Sequence, residues 1–178
     1  MPDFSVIAGK DLERYFNLQQ ALAEFHELFN HGDNDREIAI VGGAFLDSLL
    51  EYILINFFVD DEKEVLKLLE PERPLGTYGS RVTMGFCLGL FHELIRDDLR
   101  TVGKIRNRFA HDLQASFDQD PIRSWCVSLK WHEISHMKTP EGATAREIFQ
   151  VGVNQLITYL HGVVSIARGE KRQIVRWH

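Results

Sequence analysis

The sequence predicts an all-α helical bundle, a single domain over residues 1–178. Three observations carry this. Apolar residues recur at three- and four-residue spacing along most of the chain, the period of one helix face. Capping residues and Pro/Gly-rich connectors separate the periodic stretches. No stretch sustains the two-residue alternation that a strand ladder needs, and no internal repeat or low-complexity segment interrupts the pattern. At 178 residues a single domain can bury roughly 70% of its unfolded surface, enough for one sizeable core.

Asp11 to Phe29 reads as the first helix, with Leu12, Phe16, Leu22, Phe25 and Leu28 on one side. "NHGDND" stops it, and Asp33 or Asn34 caps the next. Arg36 to Phe58 is a long second helix whose apolar residues surround most of its circumference, so it belongs at the centre. A short helix spans Asp61 to Leu69. "EPERPLGTYGS" is a connector, followed by helices over Ser80 to Leu90 and Asp97 to Ala110. A loop with "FDQDP" leads to a short segment at Ile122 to Leu129. "KWHEISHMKTPEG" reads as irregular or weakly extended, because Val127, Leu129 and Trp131 alternate. Thr139 caps a final helix with Pro140 at its first position, running to about Arg168.

Composition excludes several functions. The formal net charge is −6, which argues against a broad basic face for duplex DNA. Direct DNA binding is not expected, and no helix-turn-helix with a basic recognition helix is present. The most apolar run, Ile38 to Phe58, is broken by Asp47, Glu51 and Asn56, so no transmembrane segment is expected. The N-terminus lacks the basic-then-apolar pattern of a secretory signal. Cys87 and Cys126 sit among apolar residues without metal-ligand spacing and read as reduced core thiols, consistent with a cytoplasmic protein. The basic tail, with Arg168, Lys171, Arg172 and Arg176, reads as solvated.

Three constellations could carry chemistry. "HEISH", His132 to His136, matches a zinc pattern, but lysines flank it, Pro140 ends it, and a third ligand such as Glu147 would be arbitrary. No metal or cofactor is expected. Asp47 and Glu51, four apart, share one face of the second helix. Arg81 lies in the first turn of its own helix, where the macrodipole disfavours a cation, and is expected to pair with one of them. The third is "KIRNRFAHD", Lys104 to Asp112. Asn107 and His111 share a face, whereas Arg106 and His111 lie about 140° apart on an ideal helix. A neutral imidazole can take the proton of a ribose 2′-hydroxyl, while a guanidinium and an amide hold the phosphate. The structural alternative has Arg106 meeting a core carboxylate and His111 capping the helix end.

"PLGTYGSRVTMGFCLGL", Pro74 to Leu90, together with "AIVGGAFLDSLLEYIL" before it, resembles the mannitol operon repressor (MltR-like) family. "RNRFAH", Arg106 to His111, resembles the arginine–histidine motif of the HEPN superfamily, with the asparagine that many active members carry. The resemblance spans about Arg36 to Asp112. It implies a HEPN-like bundle, commonly dimeric, and a regulator linked to mannitol operon repression that acts through protein partners. The alternative it implies is a metal-independent endoribonuclease of toxin or defence type that cleaves single-stranded RNA, with Arg106, Asn107 and His111 catalytic. Asp47, Glu51, Arg81 and Arg108 would form a binding or structural polar cluster.

Overall fold

The computed structural model describes residues 10–135 and 139–177, apart from the side chains of residues 10–18. Among the described residues the chain is all helical: α1 (Lys10–His31), α2 (Asp35–Phe57), α3 (Glu62–Leu69), α4 (Tyr78–Cys87), α5 (Glu93–His111), α6 (Ile122–Val127), α7 (Trp131–Ile134) and α8 (Ala145–Gly169). Their buried residues form one contiguous core.

α2 is the axis of the bundle. Asn34 caps it, its side chain accepting from the amides of Arg36 and Glu37 at 2.9 and 3.2 Å, and Asp35 and Glu37 place negative charge in the first turn, where the helix dipole favours it. Ile38, Leu46, Leu49, Leu50, Ile53 and Leu54 are almost fully buried, because α8, α5, α1 and α4 all pack on this helix. On length and composition alone α2 could cross a membrane, which corrects the expectation that no stretch reaches that length. Burial inside the bundle accounts for its apolar character equally well.

The approach of the other helices depends on small residues in α2. A Cβ at Gly42 would stand 2.7 Å from the Phe29 ring, so the glycine lets α1 close on α2. Phe25 and Phe29 stack at 4.6 Å and are buried. Leu28, expected on that apolar side, is instead 51% exposed. Positions 25 and 29 define the buried line of α1, and Leu28 falls beside it. Leu12 and Phe16 lie outside the described side chains.

α4 begins two residues before the sequence suggested. Thr77 and Ser80 form a capping box, which satisfies orphan amides of the first turn. The helix ends in a Schellman motif: Gly89 has φ +72°, its amide donates to Phe86, and the Leu90 amide donates to Gly85. Only a residue tolerant of the left-handed region fits there. α5 likewise starts early, at Glu93 rather than Asp97. Its buried stripe, Ile95, Leu99, Val102, Ile105 and Phe109, already includes a residue ahead of Asp97.

Two further expectations are corrected. The short segment at Ile122 to Leu129 is helical as α6, and Trp131–Ile134, expected irregular or weakly extended, forms the single turn α7. Leu129 is buried and Val127 exposed because one lies past the end of α6 and the other on its outer side. The last helix starts at Ala145, not Pro140. Gly142 has φ +81°, which breaks any helix begun at Thr139, and Thr144 with Glu147 forms the capping box instead.

The basic tail is not merely solvated. α2 has no basic residue in its own last turn. Arg168 donates to Asn56 Oδ1 at 3.0 Å, the Arg172 amide donates to the Phe57 carbonyl at 2.9 Å, and the Arg172 guanidinium lies 4.5 Å from the Phe57 ring centroid. The tail thus brings cations to the negative end of the central helix. Arg176 stays exposed. Of the two cysteines only Cys126 is a core thiol, its pKa pushed up to about 12 by burial. Cys87, in the last turn of α4, is exposed, which corrects its assignment to the core.

Asp98 joins this half of the bundle. It is 4% exposed, and its carboxylate accepts from the amides of Lys130, at 3.1 Å, and Trp131, at 2.7 Å. Burial raises its pKa, and the two amide bonds oppose the shift. Asp98→Ala would leave both amides without an acceptor and is expected to cost about 2–3 kcal/mol in urea unfolding. Asp98→Asn, which keeps one acceptor oxygen, should lose about half as much.

Candidate functional site

Arg81 leaves α4 and enters the bundle, where its side chain is 8% exposed. Nη1 meets Asp47 Oδ1 at 2.7 Å and Nη2 meets Glu51 Oε2 at 2.7 Å. Nε donates to the Leu75 carbonyl at 3.0 Å and Nη2 to the Leu69 carbonyl at 2.9 Å. The i, i+4 spacing of the two carboxylates on α2 matches the fork of one guanidinium. One side chain therefore fastens α4 to α2 and to the α3–α4 connector. The macrodipole cost of a cation near the start of α4 is offset by two carboxylates. Arg108 does not join this cluster. It pairs with Asp112 at 2.8 Å on the exposed end of α5.

Of the three candidate residues in "RNRFAH", Arg106 and Asn107 meet and line one pocket, and His111 is not part of it. The stem of Arg106 crosses α2 at Gly43, where a Cβ would come within 2.6 Å of Cγ. Its Nη1 donates to Asn107 Oδ1 at 3.1 Å, and it has no carboxylate partner among the described residues. His111 is exposed in the last turn of α5, and its ring has no hydrogen-bond partner among the described residues. The carbonyls at the end of α5 are met by Arg36, which donates to Ala110 at 2.9 Å and to Asp112 at 3.5 Å. Neither half of the structural alternative holds among the described residues: Arg106 meets no core carboxylate there, and Arg36 takes the capping role expected of His111.

Arg106 instead borders a pocket of about 430 Å³ between α2, α4 and α5, lined by Gly43, Thr77, Tyr78, Gly79, Arg100, Gly103, Lys104, Arg106 and Asn107. Sequence reasoning missed Arg100, Tyr78 and the glycines. A signal was present: Arg100, Gly103, Lys104 and Asn107 recur at i, i+3, i+4 and i+7, one polar face of a helix. Gly103 lets Tyr78 approach, since a Cβ there would lie 2.8 Å from its ring. The Tyr78 hydroxyl donates to the Leu99 carbonyl at 2.9 Å. Burial, and then the charge of Asp47, hold this phenol neutral well above its ordinary range; Arg106 opposes them.

Of the "HEISH" segment, residues 132–135 are described. His132 is buried, with Nδ1 2.7 Å from the Thr139 hydroxyl, while His136 lies outside the described residues. Among the described residues no group of His, Cys, Asp or Glu has the arrangement of a metal centre.

No family model matches this chain, and no curated protein does. A solved structure does: the X-ray structure of the MtlR–HPr complex from Escherichia coli. The match has a TM-score of 0.59 at 19% identity and covers 84% of this chain and 99% of the other. The chain therefore shares the helical fold of that structure.

Arg81→Ala would leave two carboxylates facing each other and two carbonyls without a donor. Asp47 and Glu51 are 27% and 35% exposed, so the cost should fall near 2–3 kcal/mol, below the 3–5 of a dry pair. Arg81→Lys should recover little of it, because an ammonium cannot span four acceptors. An unchanged midpoint in urea for Arg81→Ala would contradict the clamp.

Proposed function

We propose that this chain is a single-domain cytoplasmic regulator that acts by binding another protein, in the manner of MtlR with HPr, in the control of a sugar operon. The observation that carries the reading is the likeness of fold along 99% of a chain whose structure was solved with a protein partner. The resemblance of Pro74 to Leu90 to the mannitol operon repressor family points the same way. The reading assigns the chain no direct contact with DNA, in keeping with its net charge of −6. It includes a homodimer. That element rests on the family resemblance alone.

Three observations favour the ribonuclease reading. The motif is complete, His111 is accessible, and Arg106 has no carboxylate partner among the described residues. Against it, His111 does not line the pocket that Arg106 and Asn107 border, and a second copy would have to bring a histidine to it.

Titration of purified Escherichia coli HPr into this protein by calorimetry should give saturable binding with a Kd of about 1–10 μM, and light scattering of the protein alone should give twice the chain mass. An absence of binding heat would remove the protein-partner reading. Incubated with single-stranded RNA in EDTA, the protein should leave the substrate intact. Cleavage to 2′,3′-cyclic phosphate ends that disappears in folded His111→Ala would install the nuclease in its place.

A further inference from the structure

We propose that the pocket between α2, α4 and α5 binds a small phosphomonoester, a ligand input separate from the protein-binding role. Arg100, Lys104 and Arg106 border one cavity, and none has an ion pair with a carboxylate among the described residues. In a chain with 26 acidic and 20 basic residues, three cations gathered around one cavity without an ion pair of their own repel one another. Arg100 and Lys104 are also an i, i+4 like-charge pair, a spacing that destabilises a helix. An anion in the cavity offsets both costs.

The wall opposite the cations is built for the same charge. It is the first turn of α4, where Thr77 caps the helix and meets the Ser80 amide. The amides of Tyr78 and Gly79, the first two helical positions, have no intrahelical acceptor, and the positive end of the dipole faces the cavity. A Cβ at Gly79 would meet nothing within 4 Å, so the space before this turn is open. Asn107 adds an amide at the rim. Two carboxylates lie near the lining and both are engaged elsewhere: Asp47 by Arg81 at 2.7 Å, and Asp97, which also feels the charge of Arg100, by Arg96 at 2.7 Å.

Size and lining narrow the class. About 430 Å³ is within the range of small-molecule sites and exceeds what a bare phosphate fills, so the ligand carries an organic part. The lining sets amide, guanidinium and ammonium groups beside a larger apolar area that includes Tyr78 and three glycines, which suits an organic part with both hydroxyl groups and carbon faces, such as a sugar ring. Arginine and lysine together with helix amides are the recognition set of a phosphate dianion.

The test is calorimetry of the intact protein with glucose 6-phosphate, inorganic phosphate and glucose as probes. Glucose 6-phosphate is expected to bind, phosphate more weakly, and glucose not at all. Arg100→Ala and Lys104→Ala, both at exposed positions, should each weaken binding about tenfold. Gly79→Leu should abolish it by filling the cavity while leaving the melting temperature within a few degrees. The proposal is overturned if neither anion binds at about 10 mM, or if the three variants bind as the parent does. It is also overturned if phosphate binds as tightly as the ester, or if a short single-stranded RNA displaces the ester at lower concentration. HPr binding is read separately, so a failure here leaves the regulator reading standing and the reverse holds too.

Discussion

The arrangement of this bundle turns on one buried guanidinium. Arg81 gathers Asp47, Glu51 and the carbonyls of Leu69 and Leu75 within 3.0 Å. Without it, α2 would carry two half-buried carboxylates beside its apolar face, and the end of α3 and the connector after it would each keep a carbonyl without a donor. With it, α4 is held against α2 at a fixed angle and its first turn is aimed at the face of α5 that carries Arg100 and Lys104. The pocket follows from the clamp.

Charge is therefore divided by position. The cation inside is neutralised by the chain itself; those around the pocket are not. The tail shows the first pattern again: Arg168 and Arg172 supply the end of α2 with the positive charge its own last turn lacks. Arg36 does the same for the carbonyls of α5. Against this habit of internal pairing, the set at Arg100, Lys104 and Arg106 stands out, and a site that faces an external anion gives it a physical reason. A regulator that binds a protein partner and also reads a small anion would join two inputs in one bundle.

Much of this is legible in the amino-acid sequence alone. The apolar circumference of α2 places it at the centre, although a line through Glu37, Ala44 and Ser48 stays exposed, and the misplaced charge of Arg81 at the start of a helix calls for a carboxylate. The start of α8 is not legible. "TPEGATARE" offers two capping threonines, and only the left-handed backbone at Gly142 decides between them. Leu28 is misplaced by periodicity because a spacing of three drifts off a stripe that Phe25 and Phe29 set at four. Arg108 joins the core cluster only on charge, although a local partner, Asp112, lies four residues away. The pocket is the least legible feature. Gly43, Gly79 and Gly103 sit on three different helices, and their meaning appears only once those helices meet.

The claim at the centre of this account is that Arg81 and the α2 carboxylates act as one unit. A double-mutant cycle in urea measures it directly, with Arg81→Ala, Glu51→Gln and the pair together. The account predicts a coupling energy above about 1 kcal/mol, the ceiling for exposed ion pairs. Additivity within about 0.3 kcal/mol would contradict it, and would leave the position of α4 to packing alone.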